Sequence, residues 1–135
     1  LTAVLRALPA ETLVHIVTFH EVFASWAPEL RSLEGEGRDR AIAFVEGLVN
    51  GVGTNVFDTL EFALRDRRLD AIYLLTDGIP TEGRIVEPSE ILAEIRKRNV
   101  VRRVTIHTVA FGAESELLRS LAAQNDGTYR FVDRY

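Results

Sequence analysis

The apolar run AIYLLT at residues 71–76 stops at a carboxylate, Asp77, with Gly78 behind it and Pro80 three positions on. Upstream, the loop NGVGTN offers a hydroxyl at Thr54 and an amide at Asn55, with Gly53 before them. Three chemistries use an acid at a strand end beside such a loop. Phosphate cradling fails on spacing, since a dinucleotide fingerprint needs glycine where Val56 stands, and no GxxxxGK[ST] occurs. A phosphoacceptor role for Asp77 would need a lysine at the end of a later strand, and the chain's lysine, Lys97, falls in a predicted helix. A hard divalent cation held by a threonine hydroxyl, a carboxylate and water fits best, as Mg²⁺ rather than zinc, because cysteines and a paired-histidine motif are missing.

Each residue also has a plainer use. Asp77 could instead close a turn with Gly78 and Pro80, and Thr54 or Asn55 cap a helix, Thr54 serving both purposes. Ser25, Ser89 and Ser115 have no base beside them in sequence and there is no GxSxG elbow, so no hydrolase triad is indicated. His15, His20 and His107 fall in or at the ends of predicted strands and read as core or edge residues. Glu82 and Glu87, in the loop after Asp77, read as solvated charge that can tune partner choice. An enzyme is not expected, for want of a nucleophile and base pair.

These residues need a scaffold. The 135 residues suit one domain, and 47% apolar residues give it a core. A net charge of −4 argues against a nucleic-acid partner, and no apolar stretch approaches the roughly 20 residues that membrane insertion requires. The clusters Arg65, Arg67, Arg68 and Arg96 to Arg103 lie near predicted helix ends and read as solvated faces. Zero cysteines exclude disulfides and leave the compartment open.

The hydrophobic period alternates between strand and helix. Leu1, Val4, Leu5 and Leu8 keep helical spacing without an initial cap, so the chain is expected to begin inside a helix. Residues 12–20 read as a strand buried on both faces, and 22–26 as its antiparallel hairpin partner. Ala41, Phe44, Val45, Leu48 and Val49 predict a helix, as do Phe57, Leu60, Ala63 and Leu64. Strands buried on both faces are expected at 71–76 and 104–111, with a helix opening at Pro88 between them. Leu117 to Ala122 predict a last helix capped by Gly127, and 128–132 a short closing strand. Trp26 and the phenylalanines read as core. This alternation predicts an α/β fold: three layers, doubly wound, with a mainly parallel sheet and one antiparallel edge strand. Ligands of such sheets bind at the carboxyl ends of the strands, where Asp77 and the Gly51–Asn55 loop fall.

The element order, GTN at 53–55 before a helix, "LLTDG", "HTVAFG" and the tail "ELLRSLAAQNDGTYRFV" together resemble a von Willebrand factor type A domain along essentially the whole chain. The resemblance implies a metal-ion-dependent adhesion site, with Thr54 binding Mg²⁺ (or Mn²⁺ or Ca²⁺) directly and Asp77 through water. Gly53 and Gly78 would allow close backbone approach, and Asn55 would order the loop. It also implies a protein partner whose acidic side chain completes the metal shell. The family's DxSxS motif, at the end of its first strand, has no counterpart here. That strand would lie mid-sheet, between those matching 12–20 and 71–76, and its loss would expose two rows of backbone donors and acceptors. The expectation is therefore a single domain over 1–135, truncated at its N-terminus, that is unstable alone and binds metal weakly or not at all, from a parent that does bind. The competing expectation is a structural or assembly module of a larger protein without a working metal site.

Overall fold

The computed structural model describes residues 1–49 and 51–133. Asn50, the first residue of the NGVGTN loop, lies outside the described residues. The second half of the chain supplies a parallel sheet, β5 (Ala71–Thr76), β6 (Thr105–Phe111) and β7 (Tyr129–Val132), in that order. Parallel neighbours need crossovers, which α4 (Pro88–Asn99) and α5 (Glu116–Gln124) provide, and α3 (Val56–Leu64) precedes β5. Register runs from Ala71 opposite Thr105 to Thr76 opposite Ala110, and then from Thr108 opposite Tyr129 to Phe111 opposite Val132. This is the α/β fold with a mainly parallel sheet that the alternation predicts.

Side-chain alternation decides where the core sits. Leu74 of β5 and Ile106, Thr108 and Ala110 of β6 are buried on one face. Against them pack Val56, Phe57 and Leu60 of α3, Ile91 and Ile95 of α4, and Leu117, Leu118 and Leu121 of α5. The opposite face of β5 is open: Tyr73 is 68% exposed and stacks on His107 at 4.7 Å, and Leu75 is 40% exposed. The expected double burial of 71–76 is thus corrected to burial on one face. A run of apolar residues gives the strand but not the number of layers around it.

Helix ends follow their sequence signals. The side chains of Asn55, Glu87 and Ser115 accept from the amides of Asp58, Glu90 and Leu118, and Pro88 opens α4. Gly127 closes α5 as predicted, its amide donating to the Ala122 carbonyl at 2.9 Å, but its lack of a side chain serves a further purpose. Asp126 takes the left-handed conformation (φ 56°), while a Cβ at Gly127 would lie 1.8 Å from the Ile106 carbonyl oxygen, so glycine is needed for close approach to β6. Two arginines expected on a solvated face turn inward: Arg98 pairs with Glu61 and Glu94, and Arg102 donates to the carbonyls of Leu64 and Asp66.

The first half is built from smaller pieces. Residues 12–20 form two short strands instead of one. β1 (Leu13–Val14) pairs antiparallel with β4 (Arg31–Ser32), and β2 (Val17–Phe19) with β3 (Phe23–Ser25). Between them His15 Nε2 bonds the Ala27 carbonyl at 2.8 Å and the Ile16 carbonyl accepts from Trp26, which draws the chain away from a single straight ladder. The hairpin expected from 22–26 is present. α1 (Thr2–Ala7) packs on α2 (Gly37–Glu46), whose Arg38 donates to the Leu5 and Leu8 carbonyls at the end of α1. Leu5, Ile16, Leu33 and Ala41 form a second buried cluster, with Trp26 partly buried against it. α2 stops before Gly47, a poor helix former, and leaves the predicted helix residues Leu48 and Val49 outside it and exposed. Among the described residues no ladder joins β2 to β5, and no helix is long and apolar enough to cross a membrane.

Candidate functional site

α3 begins where its sequence says it should, and that start positions the GTN loop. Gly53 turns the chain with φ 85°, and Asn55 caps the helix. Thr54 is left between them, half-buried, facing the loop that follows β5. Three bonds join the two loops: Thr54 N–H donates to Thr81 Oγ1 at 2.9 Å, and the Thr54 carbonyl accepts from Thr81 (2.9 Å) and Glu82 (3.2 Å). A Cβ on Gly78 would lie 3.1 Å from Thr54 Oγ1. The Asp77–Gly78 corner and the Thr54 hydroxyl are therefore neighbours, brought together by the α2–α3 loop and the loop that follows β5.

Both residues open onto one cleft of about 730 Å³ between β2 and β5. Its apolar walls include Val17, Phe19, Leu48 and Leu75, and Thr18, His20, Thr54, Thr76 and Asp77 are its polar lining. Asp77 is exposed, and the turn behind it is held by the Gly78 amide donating to Thr76 Oγ1 at 3.2 Å. Gly53 is hemmed by Glu82 and Glu21, whose Cγ atoms would stand 2.6 and 3.4 Å from an added Cβ. The hairpin tip at Glu21 also takes a bond from Asn55 Nδ2 to its carbonyl, 3.3 Å. Of the predicted site residues, Gly53, Thr54, Asn55, Asp77 and Gly78 all lie at this end of the sheet.

The supporting charges were not visible in the sequence. Asp58, in the first turn of α3, receives Asn55 Nδ2 at 3.1 Å, Arg84 Nε at 2.8 Å and the Arg84 amide at 3.2 Å. Burial alone would raise its pKa, but the bonds from Arg84 and Asn55 prevail and hold it below the usual carboxylate value. Glu61, one turn on, is shared by Arg84 and Arg98 and is likewise depressed against the effect of burial. A loop arginine 26 residues from its partner in sequence gives no local pattern to read.

A hydroxyl and a carboxylate are the right donors for a hard cation, but Mg²⁺ needs six oxygens in near-ideal octahedral array. Among the described residues no group of three or more His, Asp or Glu side chains converges to hold a metal. The donors present fit such an ion in kind and not in number.

Comparison with known proteins agrees with the geometry. The chain matches the family model of the von Willebrand factor type A domain over residues 1–131. It is 25% identical over 123 residues to human von Willebrand factor A domain-containing protein 3B, covering 88% of this chain and 9% of that protein. With human von Willebrand factor A domain-containing protein 3A the identity is 30% over 119 residues, covering 85% of this chain and 10% of that protein. The chain thus spans about a tenth of the length of these curated relatives. A match over nearly all its residues, on a parallel sheet where the loop after β5 meets the α2–α3 loop at Thr54, makes this chain a member of the von Willebrand factor type A domain family.

Proposed function

We propose that the chain is a non-enzymatic protein-interaction module that meets its partner at the Thr54–Asp77 end of the sheet through a divalent cation, Mg²⁺ or a close substitute. Domains of this family commonly mediate protein interactions. The observation that carries the reading is the approach of the Asp77–Gly78 corner to the Thr54 hydroxyl at one end of an open cleft. Thr54 and Asp77 would supply two oxygens, and Gly53, Asn55 and Gly78 would hold them in place. Further oxygens would come from water, from an acidic side chain of the partner, and from an extended segment seated between β2 and β5.

A second reading, a structural or assembly module without metal, is favoured by the lack of a converging ligand group among the described residues. Calorimetric titration with Mg²⁺ and Mn²⁺ separates the two. Saturable binding by the intact protein, lost in Asp77→Ala and Thr54→Val, is the expected outcome. A well-folded protein that takes up neither ion would establish the structural reading.

A further inference from the structure

The loop from Asp77 to Glu87 is long, exposed for most of its length, and free of regular structure. It is nevertheless fastened to α3 at three successive points. Thr81 and Glu82 bond the Thr54 main chain. Gly83, at φ 102°, lies so close to the helix cap that a Cβ would fall 2.2 Å from Asn55 Oδ1. Arg84 then grips both oxygens of Asp58, through its amide and its Nε, and reaches Glu61 through Nη2.

The Asp58 carboxylate is thus a junction between the two loops. Asn55, the residue after Thr54, donates to it from one side, and Arg84 from the other. Glu61 extends the junction to α4 by pairing with Arg98 as well, and the Arg84 and Arg98 guanidinium carbons stand 5.4 and 5.1 Å from the ring centre of buried Phe57. Rings of this kind attract cations at such distances. A planar guanidinium with several fixed donors suits this fork better than a single ammonium.

We propose that Arg84 is a positioning residue that sets the separation of Thr54 and Asp77 by latching the loop after β5 to the first turn of α3. The proposal rests on the reading that these two residues share one ligand, and the latch itself can be measured without any ligand. The amides of Thr54, Thr81 and Glu82 make the bonds between the loops, so their hydrogen exchange reports the junction directly. In the intact, metal-free protein, Arg84→Ala should speed exchange at these amides about tenfold while Ile106 and Thr108 in β6 keep their protection, and Arg84→Lys should fall between it and the wild type. Unchanged exchange at the loop amides would overturn the latch. So would equal acceleration in β6, which would mean general destabilisation.

Mg²⁺ titration of the same variants supplies the second readout. Affinity should weaken about three- to tenfold in Arg84→Ala and recover in part in Arg84→Lys. Loosened loops with unchanged affinity would overturn the positioning role. A wild type that takes up no Mg²⁺ would instead sink the metal reading, and the exchange result would then decide the latch alone.

Discussion

Gly78 and Gly127 both stand where a methyl group would collide, but with different neighbours. Alanine at 78 would place its Cβ 3.1 Å from the Thr54 hydroxyl, a side-chain atom able to rotate aside. Gly78→Ala should therefore change stability by less than about 1 kcal/mol while weakening Mg²⁺ uptake, since the moved atom is the proposed ligand. Alanine at 127 would meet the Ile106 backbone carbonyl at 1.8 Å, and backbone cannot give way without shifting α5 against β6. Gly127→Ala should cost about 1–3 kcal/mol in urea unfolding, as overpacked sites do. The sequence marks both glycines but not their reasons. Gly127 reads as a helix cap because Asn-Asp-Gly is turn-like, whereas Asp126 takes the left-handed position. Arg84 was missed for a related cause: its partners Asp58 and Glu61 become neighbours only after β5 returns the chain to the start of α3.

At the level of elements, the link between the two halves at Asp66 depends on pH. Its carboxylate accepts from the Arg68 side chain and amide and from the Leu30 amide, and the Arg68 guanidinium also reaches the Leu30 carbonyl. Hydrogen bonds from Arg68 are the main reason its pKa is lowered from 3.8 to about 2, with burial opposing them. A carboxyl depressed in the folded state stabilises it fully above the unfolded pKa, and that contribution is lost as pH falls through the folded value. Asp66→Asn should thus lower the melting temperature at pH 6 and converge on the wild type between about pH 4 and pH 2, as differential scanning calorimetry would record. Equal differences at pH 6 and pH 2 would mean that the Asp66 charge is immaterial. The strands and helices from 56 to 132 were legible because helical periodicity, caps and β-branched runs agree there. Residues 12–20 were not, since their apolar pattern suits one long strand equally well as two short ones with different partners.

On the scale of the whole molecule, the chain buries two separate clusters, and the cleft opens between β2 and β5. α3, α4 and α5 pack on one face of the parallel sheet, with Phe19 of β2 against them, while α1 and α2 form a second cluster with Val14, Ile16, Trp26 and Leu33. β5 has a ladder to β6 on one side and, among the described residues, none towards β2 on the other. Backbone groups on that side of β5 consequently have no ladder partner among the described residues, and Leu75 and Thr76 border the cleft. Parallel strands bond alternately left and right, so protection along β5 should alternate in hydrogen exchange: slow for amides bonded to β6, fast for those facing the cleft. A segment that enters as a parallel strand would erase this alternation and bury Leu75. Leu75→Glu separates the two states, because a side chain already 40% exposed tolerates a charge at little cost, but a covered one does not. Where the cleft is open, the variant should melt within a few degrees of the wild type and β5 exchange should alternate. Where a strand fills it, β5 should be uniformly protected, and the same substitution should cost several kcal/mol by leaving a carboxylate buried without a partner. Uniform protection along β5 combined with tolerance of Leu75→Glu fits neither state and would rule out strand insertion at the cleft.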